Sequence, residues 1–374
     1  MIKIPRRIAQ TIINSLKGGV VPRIGLPYIA VGRRREVEAL LHDVDIVGNG
    51  GASFRFIVGK YGSGKSFLLQ TIRNHVMDRN FVVADADLSP ERRLQGNQGQ
   101  GLATYRELLR NLSVKSKPEG GALTLVLDRW ISNVQTDTAV ATGLALDDNA
   151  FAPAVEQRIM NVIRSMQNLV HGFDFARLLS LYYRAFTEGD DELKGKVLKW
   201  FRGEYATKTE ARQELGVTVI ISDDDWYDYL KLLAYFFRQA GYAGLMVFID
   251  ELVNIYKIPN SISRQYNYEK MLTMYNDALQ GKAQYIGMVM SGTPQCVEDR
   301  HRGIYSYEAL RSRLQEGKFA QSQGVQDLMG PVLRLQPLTS EEMLVLTEKL
   351  ADIHATLYGY ERKVNDNDLA DFIK

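Results

Sequence analysis

The chain has 374 residues, 45% of them hydrophobic and 24% charged, enough to bury an extensive core and to form more than one structural unit. Its formal charge of +2 is nearly balanced, so overall electrostatics argue neither for nor against nucleic acid. A single cysteine, Cys296, excludes an intrachain disulfide, the five histidines lack metal-ligand spacing, and no window approaches a membrane-spanning run, which points to a soluble protein of the reducing cytoplasm.

The start, Met1 to Ile8, is basic but lacks the continuous apolar stretch of an export signal. Residues 7–16 read as a short amphipathic helix ended by Gly18-Gly19, and Tyr28-Ile29-Ala30-Val31-Gly32 leads into a second helix at 35–41. Residues 53–58 then read as a buried strand. It runs into Gly59-Lys60-Tyr61-Gly62-Ser63-Gly64-Lys65-Ser66, which fits G-x-x-x-x-G-K-[ST], and the helix-like run Phe67-Leu68-Leu69-Gln70-Thr71-Ile72 follows. Strand, glycine-rich turn and helix are the context a phosphate loop requires. Glycines at 59, 62 and 64 let the backbone N–H groups converge on phosphate oxygens, and the helix N-terminus favours an anion. Lys65 then reaches the terminal phosphates of ATP and Ser66 offers its hydroxyl to Mg²⁺, with Tyr61, Ser63 and Phe67 completing the expected nucleotide-contacting set. A chance glycine-rich turn would lack the flanking strand and helix.

Residues 81–87 alternate like a second strand, a glycine- and glutamine-rich loop follows at 96–101, and 104–112 read as a helix. This rhythm implies an α/β fold with a parallel sheet covered on both faces. From about 120 to 240 the pattern is helical, at 122–134, 154–170, 173–186, 192–201 and 226–240, with no clear strand. Trp130, Trp200 and Trp226 all fall there, which suggests a helical insertion with its own apolar contacts. Strands return at 245–249, 285–290 and 332–335. Beyond Thr339, where Ser340-Glu341-Glu342 resembles a helix cap, the pattern is helical to the end. The expected organisation is an N-terminal helical segment at 1–27, a nucleotide-binding core at 28–119 and 241–338, the insertion at 120–240 and a helical lid at 339–374.

Hydrolysis needs an acidic element beside the phosphate loop. The apolar run Leu245 to Ile249 delivers Asp250 and Glu251 to a strand's C-terminal edge, where Asp250 can hold Mg²⁺ and Glu251 can orient the attacking water. Taken alone, two acids after a buried strand are also the pattern of a cap on the next helix. The next strand ends in Ser291-Gly292-Thr293-Pro294, so either Ser291 or Thr293 can report the γ-phosphate, and an ordinary turn hydroxyl accounts for either as well. In Ala309-Leu310-Arg311-Ser312-Arg313-Leu314, Arg313 is the better candidate for an arginine finger that completes a neighbouring subunit's site, Arg311 the lesser, because i and i+2 do not share a helical face. The plain alternative is a solvated basic face.

These elements, in this order, resemble an AAA+ ATPase over residues 28–374. The resemblance implies a P-loop NTPase with a five-stranded sheet of order 5-1-4-3-2, a helical lid after the fifth strand, and an adenine pocket lined by Tyr28, Ile29, Val31 and Gly32, residues that by themselves read equally as a packed turn into a helix. A narrower resemblance rests on Arg6-Arg7, Gly19-Val20-Val21-Pro22, Val31-Gly32-Arg33-Arg34, the phosphate loop through Leu69, Asp87-Leu88-Ser89-Pro90 and residues 309–314. Together these look like the BrxD-like ATP-binding proteins of bacterial BREX phage-defence systems, which are similar to origin-recognition ATPases and occur beside large helicases. This implies an antiviral Mg²⁺-dependent ATPase, a homo-oligomer that couples ATP to assembly on DNA or on a helicase or other defence-system partner. Set against the family, the chain stops at Lys374 in mid-helix, so the lid is expected to be truncated and the second sensor arginine has no identifiable counterpart.

Arg33-Arg34-Arg35, Arg92-Arg93 and Arg300-His301-Arg302 are basic clusters able to touch DNA phosphates, though such a cluster is more often a solvated turn. Two rival readings remain at this level. One is a nucleotide-dependent scaffold with little hydrolysis. The other is a nucleotide kinase, which the acidic pair and Arg313 argue against.

Overall fold

The computed structural model describes residues 3–167, 169–315, 327–365, 368–369 and 371. Strands β1 (Ala52–Gly59), β2 (Val82–Asp87), β3 (Leu245–Asp250), β4 (Ile286–Gly292) and β5 (Val332–Leu335) form one sheet in the order β2-β3-β4-β1-β5, and every neighbouring pair is parallel. This is the expected 5-1-4-3-2 order read from the opposite edge. All of β1 after Ala52 is buried, as a central strand covered on both faces must be. Side chains alternate along it: Phe54, Phe56 and Val58 enter one apolar layer with the helices Gln100–Arg110, Trp226–Gln239 and Ser261–Leu279. Ile57 enters the opposite layer, with Leu40 of the helix Arg34–Gly48 and Leu68 of the helix Lys65–Asp78.

One residue of β1 breaks its apolar run. Arg55 is buried and forks onto Asp43 at 2.6 and 3.0 Å, and it also donates to the carbonyls of Leu328 and Gly330. Asp43 is the reason the helix Arg34–Gly48 outruns the expected 35–41. Its polar run His42-Asp43 looks like an end in the sequence, yet Asp43 turns inward to meet Arg55. Removing one partner of such a pair strands a buried charge. Asp43→Ala is therefore expected to cost about 3–5 kcal/mol, to be read from denaturant midpoints at constant slope; a loss below about 1 kcal/mol would place the pair among surface-like ion pairs.

Between β2 and β3 the described residues 123–239 form six helices and no strand: Leu123–Thr142, Phe151–Gln167, Gly172–Glu188, Asp191–Phe201, Lys208–Leu215 and Trp226–Gln239. The fifth was not expected. Trp130, Trp200 and Trp226 are buried; Trp130 packs edge-on to Phe236 at 5.1 Å, and Trp200 to Tyr229 at 5.3 Å. Their indole N–H groups differ, that of Trp130 being buried without a hydrogen-bond partner among the described residues. Those of Trp200 and Trp226 donate to the carbonyls of Val219 and Leu94 at 2.8 and 3.0 Å, so Trp226 joins this stretch to the loop after β2. The helices continue the apolar layer that covers the sheet.

The helix Ser340–Tyr358 opens with the expected cap, in which the Thr339 hydroxyl accepts from Glu342 N at 3.2 Å and the Glu342 carboxylate accepts from Thr339 N at 2.9 Å. It does not continue to the end of the chain. Gly359 takes φ +71° and stops it, and the remainder of the expected helix lies partly outside the described residues. Ile353 and Leu357 of this helix pack with Ala9, Ile12 and Ile13 of the first helix, Arg6–Lys17. Among the described residues, no helix is long and apolar enough to cross a membrane.

Candidate functional site

The site forms at the C-terminal ends of β1, β4 and β3, which lie side by side in that order. From β1 the chain turns through Gly62 at φ +77° and Gly64 at φ +88°, a left-handed backbone that residues with a Cβ adopt only under strain. The helix Lys65–Asp78 begins directly after, and no side chain caps its first turn. Its opening N–H groups are thus left for another acceptor. Lys65 Nζ donates to the carbonyls of Gly59 and Lys60 at 3.0 and 3.1 Å and stands 5.5 Å from the centre of the Tyr61 ring.

From β3 comes Asp250. Its Oδ2 accepts from Ser66 Oγ at 3.0 Å, while Oδ1 accepts from Glu251 N at 2.8 Å and from the buried Ser291 hydroxyl of β4. Three donors from three elements therefore fix the carboxylate. Glu251 follows at φ +63°, a conformation costly for a residue with a side chain and one that recurs at functional sites. Burial raises the Glu251 carboxyl above its ordinary range, with Asp250 and then Asp87 adding to the effect. Asp87 lies opposite Asp250 in the β2–β3 register, and its own carboxyl is raised by burial and by Asp250. The edge thus carries more negative charge than its surroundings neutralise.

A cavity of about 280 Å³ connects these parts. Tyr61, Gly62, Gly64, Lys65, Ser66, Phe67, Asp250, Glu251 and Thr293 line it, with Val21, Val253 and Gly292. Ser66 and Asp250 supply hard oxygen donors, which suit Mg²⁺ held with water and phosphate oxygens. Among the described residues, no cluster of three or more His, Cys, Asp or Glu side chains forms an all-protein metal cage. A larger cavity of about 780 Å³, bordered by Arg93, Gln100, Asp223 and Lys270, shares no residue with this one.

Other expected residues fall elsewhere. Ser291 and Thr293 part company: Ser291 is spent on Asp250, whereas Thr293 lines the cavity and contacts Cys296 Sγ at 3.0 Å. Ile29 is buried with Ile12, Ile353 and Leu357, and Phe67 packs at the edge of that cluster, so Ile29 adjoins the phosphate-loop helix without lining the cavity. Val31 is half-buried and does not line it either. Arg313 is exposed and donates to its own helix at Ala309 O, 2.7 Å, away from this chain's cavity; Arg311 stands 3.7 Å from Glu308.

Each basic cluster spends an arginine on the main chain. Arg92 donates to Asp87 O at 2.9 Å, and Arg302 lies over the Tyr256 ring at 5.5 Å while reaching the carbonyls of Tyr256 and Ile258. Arg33 reaches furthest. Its Nη2 donates to Ser63 O within the phosphate loop at 2.9 Å and to Gln336 O at 2.7 Å, and its Nη1 donates to Glu36 at 3.1 Å. The sequence offered one sign of this: Arg33 directly follows a glycine at a helix entrance, whereas Arg34 and Arg35 stand on the exposed turn.

The sequence profile of the family described as BREX system ATP-binding protein BrxC/D matches residues 4–374. No curated protein matches the chain.

Proposed function

We propose, from the premise that this chain belongs to the BREX system ATP-binding protein family, that it is a Mg²⁺-dependent ATPase of AAA+ type acting in phage defence. One observation carries the reading: Lys65, Ser66, Asp250 and Glu251 face a single cavity, with Ser66 and Asp250 already 3.0 Å apart. In it, Lys65 exchanges the Gly59 and Lys60 carbonyls for the terminal phosphates, and the uncapped helix start receives phosphate oxygens. Ser66 and Asp250 would hold Mg²⁺, which supplies charge neutralisation at the β- and γ-phosphates. Glu251 orients the attacking water and Thr293 contacts the γ-phosphate. Ser291 acts through Asp250, fixing its carboxylate.

Arg313 enters from a second copy, so the isolated chain is incomplete and assembly gates turnover, coupling ATP to engagement of DNA or a partner protein in the cytoplasm. The rival, a nucleotide-dependent scaffold with slow hydrolysis, draws on the same resting geometry, in which Lys65 is held by its own loop. Turnover per chain, measured against protein concentration with and without DNA while mass is determined in the same buffer, separates the two. The ATPase reading expects turnover per chain to rise with assembly. It expects Arg313→Ala to remove that rise, by about 10³-fold if the finger carries its usual weight, while leaving ATP binding intact. Saturable ATP binding with flat turnover supports the scaffold, and an equal loss in a proven monomer makes Arg313 structural.

A further inference from the structure

We propose that Arg33 is a positioning residue that ties the phosphate loop to the root of the C-terminal helix Ser340–Tyr358, so that ATP at the loop is felt by that helix; the inference rests on the ATP-binding reading of the cavity. The Arg33 side chain is about one-tenth exposed, so little water stands ready to replace its bonds. A single nitrogen, Nη2, donates one proton to Ser63 O and the other to Gln336 O, at 2.9 and 2.7 Å. Glu36 holds Nη1, which leaves the plane of the fork little freedom to follow one carbonyl without releasing the other.

Both ends sit where movement matters. Ser63 N donates to Lys60 O at 3.1 Å, and the same carbonyl accepts from Lys65 Nζ. When Lys65 turns to phosphate, Lys60 O loses a donor and the loop resettles one hydrogen bond from Ser63. Gln336 follows β5 directly, where Leu335 is in register with Gly59, and it precedes the Thr339 cap by three residues. The helix also presses on the segment that carries Arg33. Lys349 Nζ donates to Ala30 O at 2.8 Å, and a Cβ on Gly32, already at φ +70°, would lie 2.2 Å from the Glu342 carboxylate. Residues 30–33 thus meet the helix at Ala30 and Gly32 and bond the phosphate loop through Arg33. Since hydrogen bonds weaken steeply with misalignment, a shift of Ser63 either carries the guanidinium along or breaks one of two bonds.

Amide hydrogen exchange across 337–358, with and without ATP and Mg²⁺, tests this in the full chain alongside ATP affinity. Wild type is expected to change exchange there on binding ATP. Arg33→Ala is expected to bind ATP within about tenfold of wild type and to lose at least about half of that change. Glu36→Leu, which leaves both carbonyl contacts available but removes the acceptor that holds Nη1 and so frees the fork, is expected to lose a smaller part, and it serves as the test should Arg33→Ala fold poorly. A full ATP-dependent change in either variant overturns the coupling, as does a wild type that binds ATP without any change across 337–358; in these cases the nucleotide reading stands. Absence of ATP binding by wild type overturns both.

Discussion

Lys65→Ala is expected to weaken ATP binding by at least about 100-fold, equivalent to about 2.7 kcal/mol. Among the described residues lining the cavity, Lys65 is the one cation, and it faces Asp250 and Glu251 with Asp87 close behind. Removing the ammonium takes away its charge-assisted bonds to phosphate and also leaves a polyanion opposite uncompensated carboxylates. The fold should tolerate the change, because Lys65 is only half-buried and bonds two carbonyls of its own loop. Thermal melts beside ATP titration would show an unaltered transition with lost affinity. Unchanged affinity would remove the phosphate-loop reading altogether.

Glu251→Gln is expected to do the converse, retaining ATP while slowing its cleavage by about 10²–10³-fold. The amide keeps the shape and the φ +63° backbone but cannot take a proton from water. A pH profile adds an independent check. Burial, Asp250 and Asp87 raise the Glu251 carboxyl, so wild-type turnover should climb with pH through a limb lying above the ordinary glutamate range, as the base is freed of its proton. Glu251→Gln should abolish the limb, and a profile that survives it would assign the base to another group.

The phosphate loop and the Asp250–Glu251 strand end were legible because the spacing of their residues is dictated by phosphate geometry, and the strands before them are buried and largely apolar, Arg55 and Ser53 of β1 excepted. What stayed hidden was polar burial. The helix Ser261–Leu279 carries Asn267, fully buried, on its inner face, where the side chain accepts from Leu94 N and Gln95 N and donates to Gln95 O; such a face has no hydrophobic period to read. Arg33 looked like one of three surface arginines because a sequence cannot show that two distant carbonyls converge on one of them. Ser291 and Thr293 are two residues apart, a spacing that in a strand would give them one face. β4 ends between them at Gly292, and Thr293 starts the short helix Pro294–Glu298, so their hydroxyls diverge.

The packing of Ile12 and Ile13 against Ile353 and Leu357 has a consequence for biosynthesis. The helix Arg6–Lys17 meets Ile353 and Leu357 only after some 340 further residues have been made, on the order of tens of seconds at ordinary elongation rates. Until then Ile29 covers only part of that face, and the rest stays wet and sticky, a natural landing place for a chaperone.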